Sequence, residues 1–491
     1  MAVRLAPPKA IPCNANQYSL THLHSPHLDG QFFEFRGGSK DTPDTTTLRH
    51  YRLSLDHLHN DSTTLTFSGQ YADTPPKVPG RRPARLAHGH NKDHRPDLKQ
   101  LVLSLSITAD GHVPVHYSLL DGNTTDDTTH IETWNALRDL RTSPDFLYIA
   151  DSKLCTKENL AHIAGNSGKF ITVLTRTRAE VKWFKDRLQQ HCPSLHEVMR
   201  HEDSRNPDGT PDFYYYADDL QHTVEGYRLL WFKSSQKWEL DQLKRRNPIS
   251  AASAAITALL PRLGSKKLKT KVEIEAAIES LLATTGARRW IKPVLLVSER
   301  ETFKQSRPGR PGKNTTFERQ VEPVFSLSWA LENDNITYDA KSDGFFPLVT
   351  NLEEPISPGE VLRHYKQQAF LEKRHEQLKT VLEIAPVFIK TPERIEAFVF
   401  IYFVALLLHS LVERQLREAM SAHEIKRLPV YPEARECEKP TAEKVLALFE
   451  SLRRHRLLGS DAVMATFFDP MSEIQRQVLS LLNVPLSAYG Q

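Results

Sequence analysis

Residues 53–67, LSLDHLHNDSTTLTF, alternate apolar and polar side chains over most of their length. A period of two predicts a half-buried β-strand, here one that runs through Asp61. Downstream, 100–120, QLVLSLSITADGHVPVHYSLL, sets two apolar β-rich runs around the turn Ala109-Asp110-Gly111, which predicts a hairpin. A helix is expected over about 128–141, and FLYIAD, 146–151, then reads as a short buried strand that ends on Asp151. A helix near 156–164 and a strand in KFITVLTR, 169–176, follow. Hairpin, helix, strand, helix and strand make an α/β fold, a mixed sheet flanked by helices with two carboxylates at strand positions.

With 491 residues the chain is too long for one ordinary core. Residues 1–50 are rich in Pro, His, Thr and Gly without a helical period and read as an irregular lead-in. The α/β pattern occupies 51–200. Over 201–345 the texture changes: FYYYADD, YRLLWFKSS, KPVLLVSE and FERQVEPVFSLSWAL read as strands and 249–285 as helical, so this span is expected to be an inserted basic, β-rich/α domain. The segment 346–425 would return to the first domain, with long helices over 358–383 and 393–421. A helical C-terminal region over 426–491 is expected, with helices near 440–457 and 471–483.

The formal charge of +4 is small, but its distribution is uneven: 241–320 holds 17 Lys/Arg against 7 Asp/Glu, a local +10. That concentration makes a polyanion a plausible partner for the segment. Four cysteines, Cys13, Cys155, Cys192 and Cys437, are far apart in sequence, which argues against a zinc knuckle or a disulfide framework and suits a reducing cytoplasm. Pro7 and Pro8 break the first apolar run, so no signal-peptide h-region is expected. The longest apolar run, Phe398 to Leu408, is shorter than a bilayer requires and reads as a buried helix, so no membrane is expected.

Within 358–383, the stretch HYKQQAFLEKRHEQLK can be placed on a helical wheel. At about 100° per residue Tyr365, Gln368, Glu372 and Lys379 project at roughly 0°, 300°, 340° and 320°, a shared polar face. Set beside Asp61 and Asp151, Glu372 completes three carboxylates from separate elements. Such a set suits hard divalent cations, which take oxygen ligands and complete their shells with water and substrate phosphate. Glu376, at roughly 20°, is a rival third carboxylate.

The sequence here resembles the DDE transposases of bacterial insertion sequences, in the branch marked by Tyr, two residues, Arg, three residues, Glu, six residues, Lys. Tyr365, Gln368, Glu372 and Lys379 keep every interval, with Gln in place of Arg. The resemblance also covers HNDSTTLTFSGQY, HNKDHRPDLKQLVLSLSI, DGNTTDDTTHIETW, YIADSKLCTKENL and DGFFPLVTN, and so extends from about 55 to 410. It implies a ribonuclease-H-like catalytic domain in which Asp61, Asp151 and Glu372 bind two Mg²⁺ ions, with Mn²⁺ as a substitute. It further implies that Tyr365, Lys379 and the residue at 368 face DNA, and that the partners are double-stranded DNA, as transposon ends and as target, and a second copy of the chain assembled on that DNA. A bacterial cytoplasmic, nucleoid-associated location goes with it.

The basic segment supplies further candidate DNA contacts: Lys244, Arg245 and Arg246; Lys266 and Lys267; Arg288 and Arg289; and Arg307 and Arg310, whose Gly-Arg-Pro core could lie in a minor groove. Trp231, Trp238 and Trp290 read mainly as core residues and secondarily as base-stacking platforms. His57, His59, His88, His90 and His94 complete no zinc pattern and read as solvated or DNA-facing. Two other functions stay open at this point: a DNA-binding protein without catalysis, and a metal-dependent nuclease that does not join ends.

Overall fold

The computed structural model describes residues 50–71, 83–202, 209–219, 221–265, 267–312, 314–458 and 463–489. Nearly all of the expected lead-in and Lys266 lie outside the described residues. The first half of the chain forms β1 (His57–Phe67), β2 (Lys99–Thr108), β3 (Pro114–Leu120), α1 (His130–Arg141), β4 (Leu147–Ala150), α2 (Lys157–Gly165), β5 (Lys169–Val173), α3 (Ala179–Gln190), β6 (Leu195–His201), β7 (Asp212–Ala217), β8 (Gln221–His222) and β9 (Arg228–Ser234). Then come α4 (Ser235–Leu259), α5 (Lys271–Thr285), β10 (Ile291–Gln305), β11 (Phe317–Leu331), α6 (Asn333–Ala340), β12 (Phe345–Thr350), α7 (Pro358–Lys366) and α8 (Gln368–Glu376). The chain ends with α9 (Pro392–Ala422), α10 (Ala442–Ala447), β13 (Arg454–Leu458), β14 (Val463–Phe468) and α11 (Glu473–Leu481).

Two compact units divide these elements: Asp56–Asp61 with Thr124–Glu372, and the described remainder of 1–55 with Ser62–Asn123 and Lys373–Gln491. In the unit of Thr124–Glu372 the strand order is β1-β4-β5-β12-β9-β7-β6. β1, β4 and β5 are parallel, and β12 is antiparallel to both β5 and β9. All four residues of β4 are buried, as a central parallel strand covered on both faces requires. Leu147, Ile149, Ile171, Leu230, Phe232 and Leu348 of the sheet pack with Val361 and Leu362 of α7. Pro358 opens α7, and Ser357 and Glu360 form a reciprocal capping box that fixes where it starts.

The expected inserted domain over 201–345 is narrower in the structure. β7 and β9 are hydrogen-bonded into the same sheet as β12, so 212–234 extends that sheet. The part with a core of its own consists of α4, α5 and the β10–β11 hairpin, around Ile256, Ile274, Ile278, Leu282, Ile291 and Leu327. The helix expected over 358–383 is interrupted at Gln367 and ends in a π-helical turn over Gln377–Val381. A wheel drawn at one uniform period therefore does not hold across it.

The other unit has the strand order β3-β2-β1, with the Ser62–Phe67 part of β1. The helix α9 is long and apolar enough, by length and composition, to cross a membrane. Here Val399, Phe403, Leu406, Leu407 and Leu411 are buried, and the Phe403 ring lies 4.6 Å from that of Tyr117 on β3. A buried pair, Arg374 to Glu413 at 2.9 Å, ties the segment after Glu372 to α9. The expected all-helical region 426–491 contains the antiparallel hairpin β13–β14 between α10 and α11.

Candidate active site

Parallel pairing of β1 with β4 matches His57 to Leu147, Leu58 to Tyr148, His59 to Ile149 and Asn60 to Ala150. Asp61 and Asp151 are the next residues along, just past the last paired rung. Neighbouring parallel strands lie about 4.8 Å apart, and residues in register project to the same face, so the pairing leads up to these two carboxylates. Alternation places Asp61 on the face of His57 and His59, and Asp151 on the face of Leu147 and Ile149. That face packs against α7.

A second ladder links this face to the helices above it. The ring of His57 lies 4.3 Å from that of His364. His59 Nδ1 donates to Gln368 Oε1 at 3.0 Å, and Gln368 Nε2 donates to the Asn60 carbonyl at 2.8 Å. The first of these contacts comes from α7 and the second from the start of α8, on either side of the break at Gln367. Asp61 follows His59 by two residues and Glu372 follows Gln368 by four, so each lies one step beyond the last of these contacts. Glu376 belongs to the other unit, and the ladder ends before it.

Tyr365 lies within electrostatic reach of Asp151, Glu372 and Asp61. Burial raises its hydroxyl above the ordinary phenol range, and the charges of Asp151, Glu372 and Asp61 add to the shift in that order. Tyr148, fully buried on β4, is raised by burial and then by Asp151 and Asp61. Asp151 also does the turn-capping work that its position suggests, since the Lys153 amide donates to its Oδ1 at 2.9 Å. Asp61 and Asp151 are half-buried and Glu372 is exposed. An all-oxygen donor set of this kind suits a hard cation such as Mg²⁺. As the side chains stand, no group of three or more His, Cys, Asp or Glu among the described residues is gathered closely enough to hold an ion.

The remaining marker residues depart from a shared DNA-facing surface. Gln368 is only 9% exposed and both ends of its amide are engaged, so it clasps α8 to β1 and does not face DNA. Tyr365 packs against the sheet core. Lys379, in the other unit, pairs with Asp93 at 2.6 Å. His59 is not a solvated residue as expected: it is fully buried, and burial depresses its pKa to about 4. The sequence signal for the clasp was the two-residue spacing of His57, His59 and Asp61 set against the four-residue spacing of His364, Gln368 and Glu372.

Among the basic candidates, Arg245 makes a bidentate, nearly buried pair with Asp343 at 2.8 and 2.6 Å. Arg289 pairs with Asp339 and Arg288 with Glu279. These three arginines carry structural partners that the sequence reading did not supply. Lys244, Arg246, Lys267, Arg307 and Arg310 are exposed and make no ion pair among the described residues. Trp231 is a core residue, stacked on Phe184 with ring centroids 3.7 Å apart. Trp290 donates its indole N–H to Asp339 at 2.9 Å, and Trp238 is exposed.

No family model and no curated protein matches the chain. Among solved structures, eight chains match. One is described as the crystal structure of a pre-cleavage Mos1 transpososome, at 9% identity, and another as a Mos1 transposase paired-end complex with left transposon end, at 12%. Each alignment covers 26% of this chain and 38% of the other, with a TM-score of 0.16. The chain thus aligns with well under half the length of those proteins, and a likeness at this level carries no argument about fold or activity.

Proposed function

We infer that the protein is a DDE transposase of the insertion-sequence type, with a ribonuclease-H-like catalytic domain that cuts DNA at transposon ends and joins the freed ends to target DNA. The observation that supports this reading is the parallel β1–β4 pairing up to Asn60 and Ala150, one residue short of Asp61 and Asp151, with the His57–His364 and His59–Gln368 contacts that tie the same strand to the helices leading to Glu372. The strand orders β3-β2-β1 in one unit and β1-β4-β5 in the other, a mixed sheet with helices, are consistent with that proposed domain.

Asp61, Asp151 and Glu372 would hold the divalent ions, with oxygen atoms from two fixed strands and one exposed helix position. When bound, two such ions supply an activated oxygen nucleophile and a counter-charge for the leaving oxygen. Tyr365, kept protonated by burial and by the three carboxylates, can donate a hydrogen bond to a phosphate oxygen and cannot act as an anionic nucleophile at neutral pH. The Gln368 clasp orients the strand end that carries Asp61. Exposed Lys244, Arg246 and Lys267 offer sequence-independent contacts to the DNA backbone.

The test is incubation of the full chain with Mg²⁺ and DNA carrying the sequences that flank its coding region, with target plasmid present. Cleaved ends and joined products are expected from the wild type, and neither from Asp61→Asn, Asp151→Asn or Glu372→Gln. Cleavage without joining would reduce the function to that of a nuclease. The wide spacing of the three carboxylates favours a second reading, a DNA-binding protein without catalysis, and binding without any cleavage would select it.

A further inference from the structure

The β10–β11 hairpin runs in register without interruption from Ile291 opposite Leu331 to Gln305 opposite Phe317. Only its base is anchored, where Ile291 and Leu327 are buried with α4 and α5 and Leu295, Phe325 and Trp329 pack against them. From Ser298 to Gln305 the strand extends the hairpin by about 25 Å beyond that core. At the far end the loop is clipped shut: the Ser306 amide and hydroxyl donate to the Thr316 carbonyl at 3.1 and 2.8 Å, and the Gly312 amide donates to Thr315 Oγ1 at 2.8 Å. Two copies of Arg-Pro-Gly lie inside this clip, at 307–309 and 310–312.

We propose that this tip is a minor-groove reader for A/T-rich DNA, with Arg307 and Arg310 as the inserted side chains. Each arginine precedes a proline, which holds the arginine backbone in the extended region and removes one N–H from the loop. Between them Gly309 has φ +144°, and a Cβ built there would meet nothing within 4 Å. Pro308, Gly309, Pro311 and Gly312 add little side-chain bulk beside two exposed guanidinium groups that make no hydrogen bond or ion pair among the described residues, and a Cβ at Gly312 would likewise meet nothing within 4 Å. A major groove about 12 Å wide accepts a helix or a whole β-ribbon, whereas a minor groove about 6 Å wide accepts only a slender element of this kind. A/T tracts narrow that groove further and deepen its negative potential, which attracts arginine. The charge favours the same partner, since 300–319 holds six Lys/Arg against two Asp/Glu. The proposal shares DNA as a partner with the function inferred above but does not depend on the carboxylates.

Fluorescence anisotropy of the full chain with A/T-rich and G/C-rich duplexes of equal length tests it. The wild type is expected to bind the A/T-rich duplex roughly tenfold more tightly, and a small molecule that fills the A/T minor groove should displace it. Arg307→Ala/Arg310→Ala should reduce the preference to less than about twofold and leave the unfolding midpoint unchanged, because the tip packs against no core. Asp61→Asn should keep the preference, which separates this reader from the cleavage site. Equal wild-type affinities, a preference retained in the double variant, or failure of the groove-filling competitor would each overturn the proposal.

Discussion

The β1–β4 pair and the β10–β11 hairpin belong to the same unit and use the same backbone geometry, yet they treat polar side chains in opposite ways. In β1, His59 and Asn60 are buried, and Gln368 answers both within hydrogen-bond distance. The half-buried Asp61 and Asp151 follow from that pairing, so their positions are set by several contacts at once. In the hairpin, Arg307 and Arg310 sit at the end of a two-stranded arm whose fold does not depend on them. A buried polar group must be paired or it costs the fold, whereas an exposed charge is available to a partner. Chemistry that needs fixed geometry belongs on the first kind of strand, and contact with a long polyanion on the second.

The largest effect should come from the fixed site. Alanine at Asp61, Asp151 or Glu372 is expected to lower Mg²⁺-dependent cleavage by about 1,000-fold or more while DNA affinity in a gel-shift assay changes little. Trp231→Ala removes a ring stacked on Phe184 in the core and should cost about 3–5 kcal/mol in urea unfolding, a loss that a DNA-stacking tryptophan would not produce. Gln368→Ala should cost about 1–3 kcal/mol because the Asn60 carbonyl and His59 lose their partner. Gln368→Arg would restore the residue of the sequence marker but remove the amide oxygen that accepts from buried His59, so it is expected to destabilise the fold.

Acid should act on the buried histidines. His116 and His130 are each pushed down to about 4 by burial, below the ordinary value of 6.5. Their folded pKa values lie below the unfolded ones, so the unfolded chain binds more protons between pH 6.5 and about 4. Stability is fully present above that window and is lost as pH falls through it; urea midpoints at pH 7.5, 5.5 and 4.5 should decline in that order. The smallest effect belongs to the exposed surface: Lys244→Ala and Arg246→Ala should each reduce the slope of log K against log salt by about one, without altering stability.

β4 and β5 could be read directly from the sequence, because they are apolar runs, whereas β1, expected to be half-buried, is buried on both faces through polar residues such as His59, Asn60, Thr63 and Thr64. The carboxylate positions followed from those strands and from the spacing after Tyr365. The break at Gln367 did not, because Gln-Gln continues a helical pattern and the cause of the local geometry is a tertiary clasp to β1. The partners Asp343 and Asp339 lie 98 and 50 residues from Arg245 and Arg289, beyond any local pattern, so these ion pairs were not legible in the sequence. The apparent change of texture after 200 reflected edge strands of one sheet with exposed faces, which alternate more and bury less than β4.

Asp61 and Asp151, each one residue past the last paired rung of β1 and β4, are proposed to hold a divalent cation. Electron paramagnetic resonance of Mn²⁺ added to the full chain measures this without DNA or turnover. The wild type should take Mn²⁺ out of the free-ion signal, Mg²⁺ should compete it back, and Asp61→Asn/Asp151→Asn should leave the free signal untouched. Equal Mn²⁺ uptake by the wild type and the double variant, or none by the wild type, would contradict the assignment.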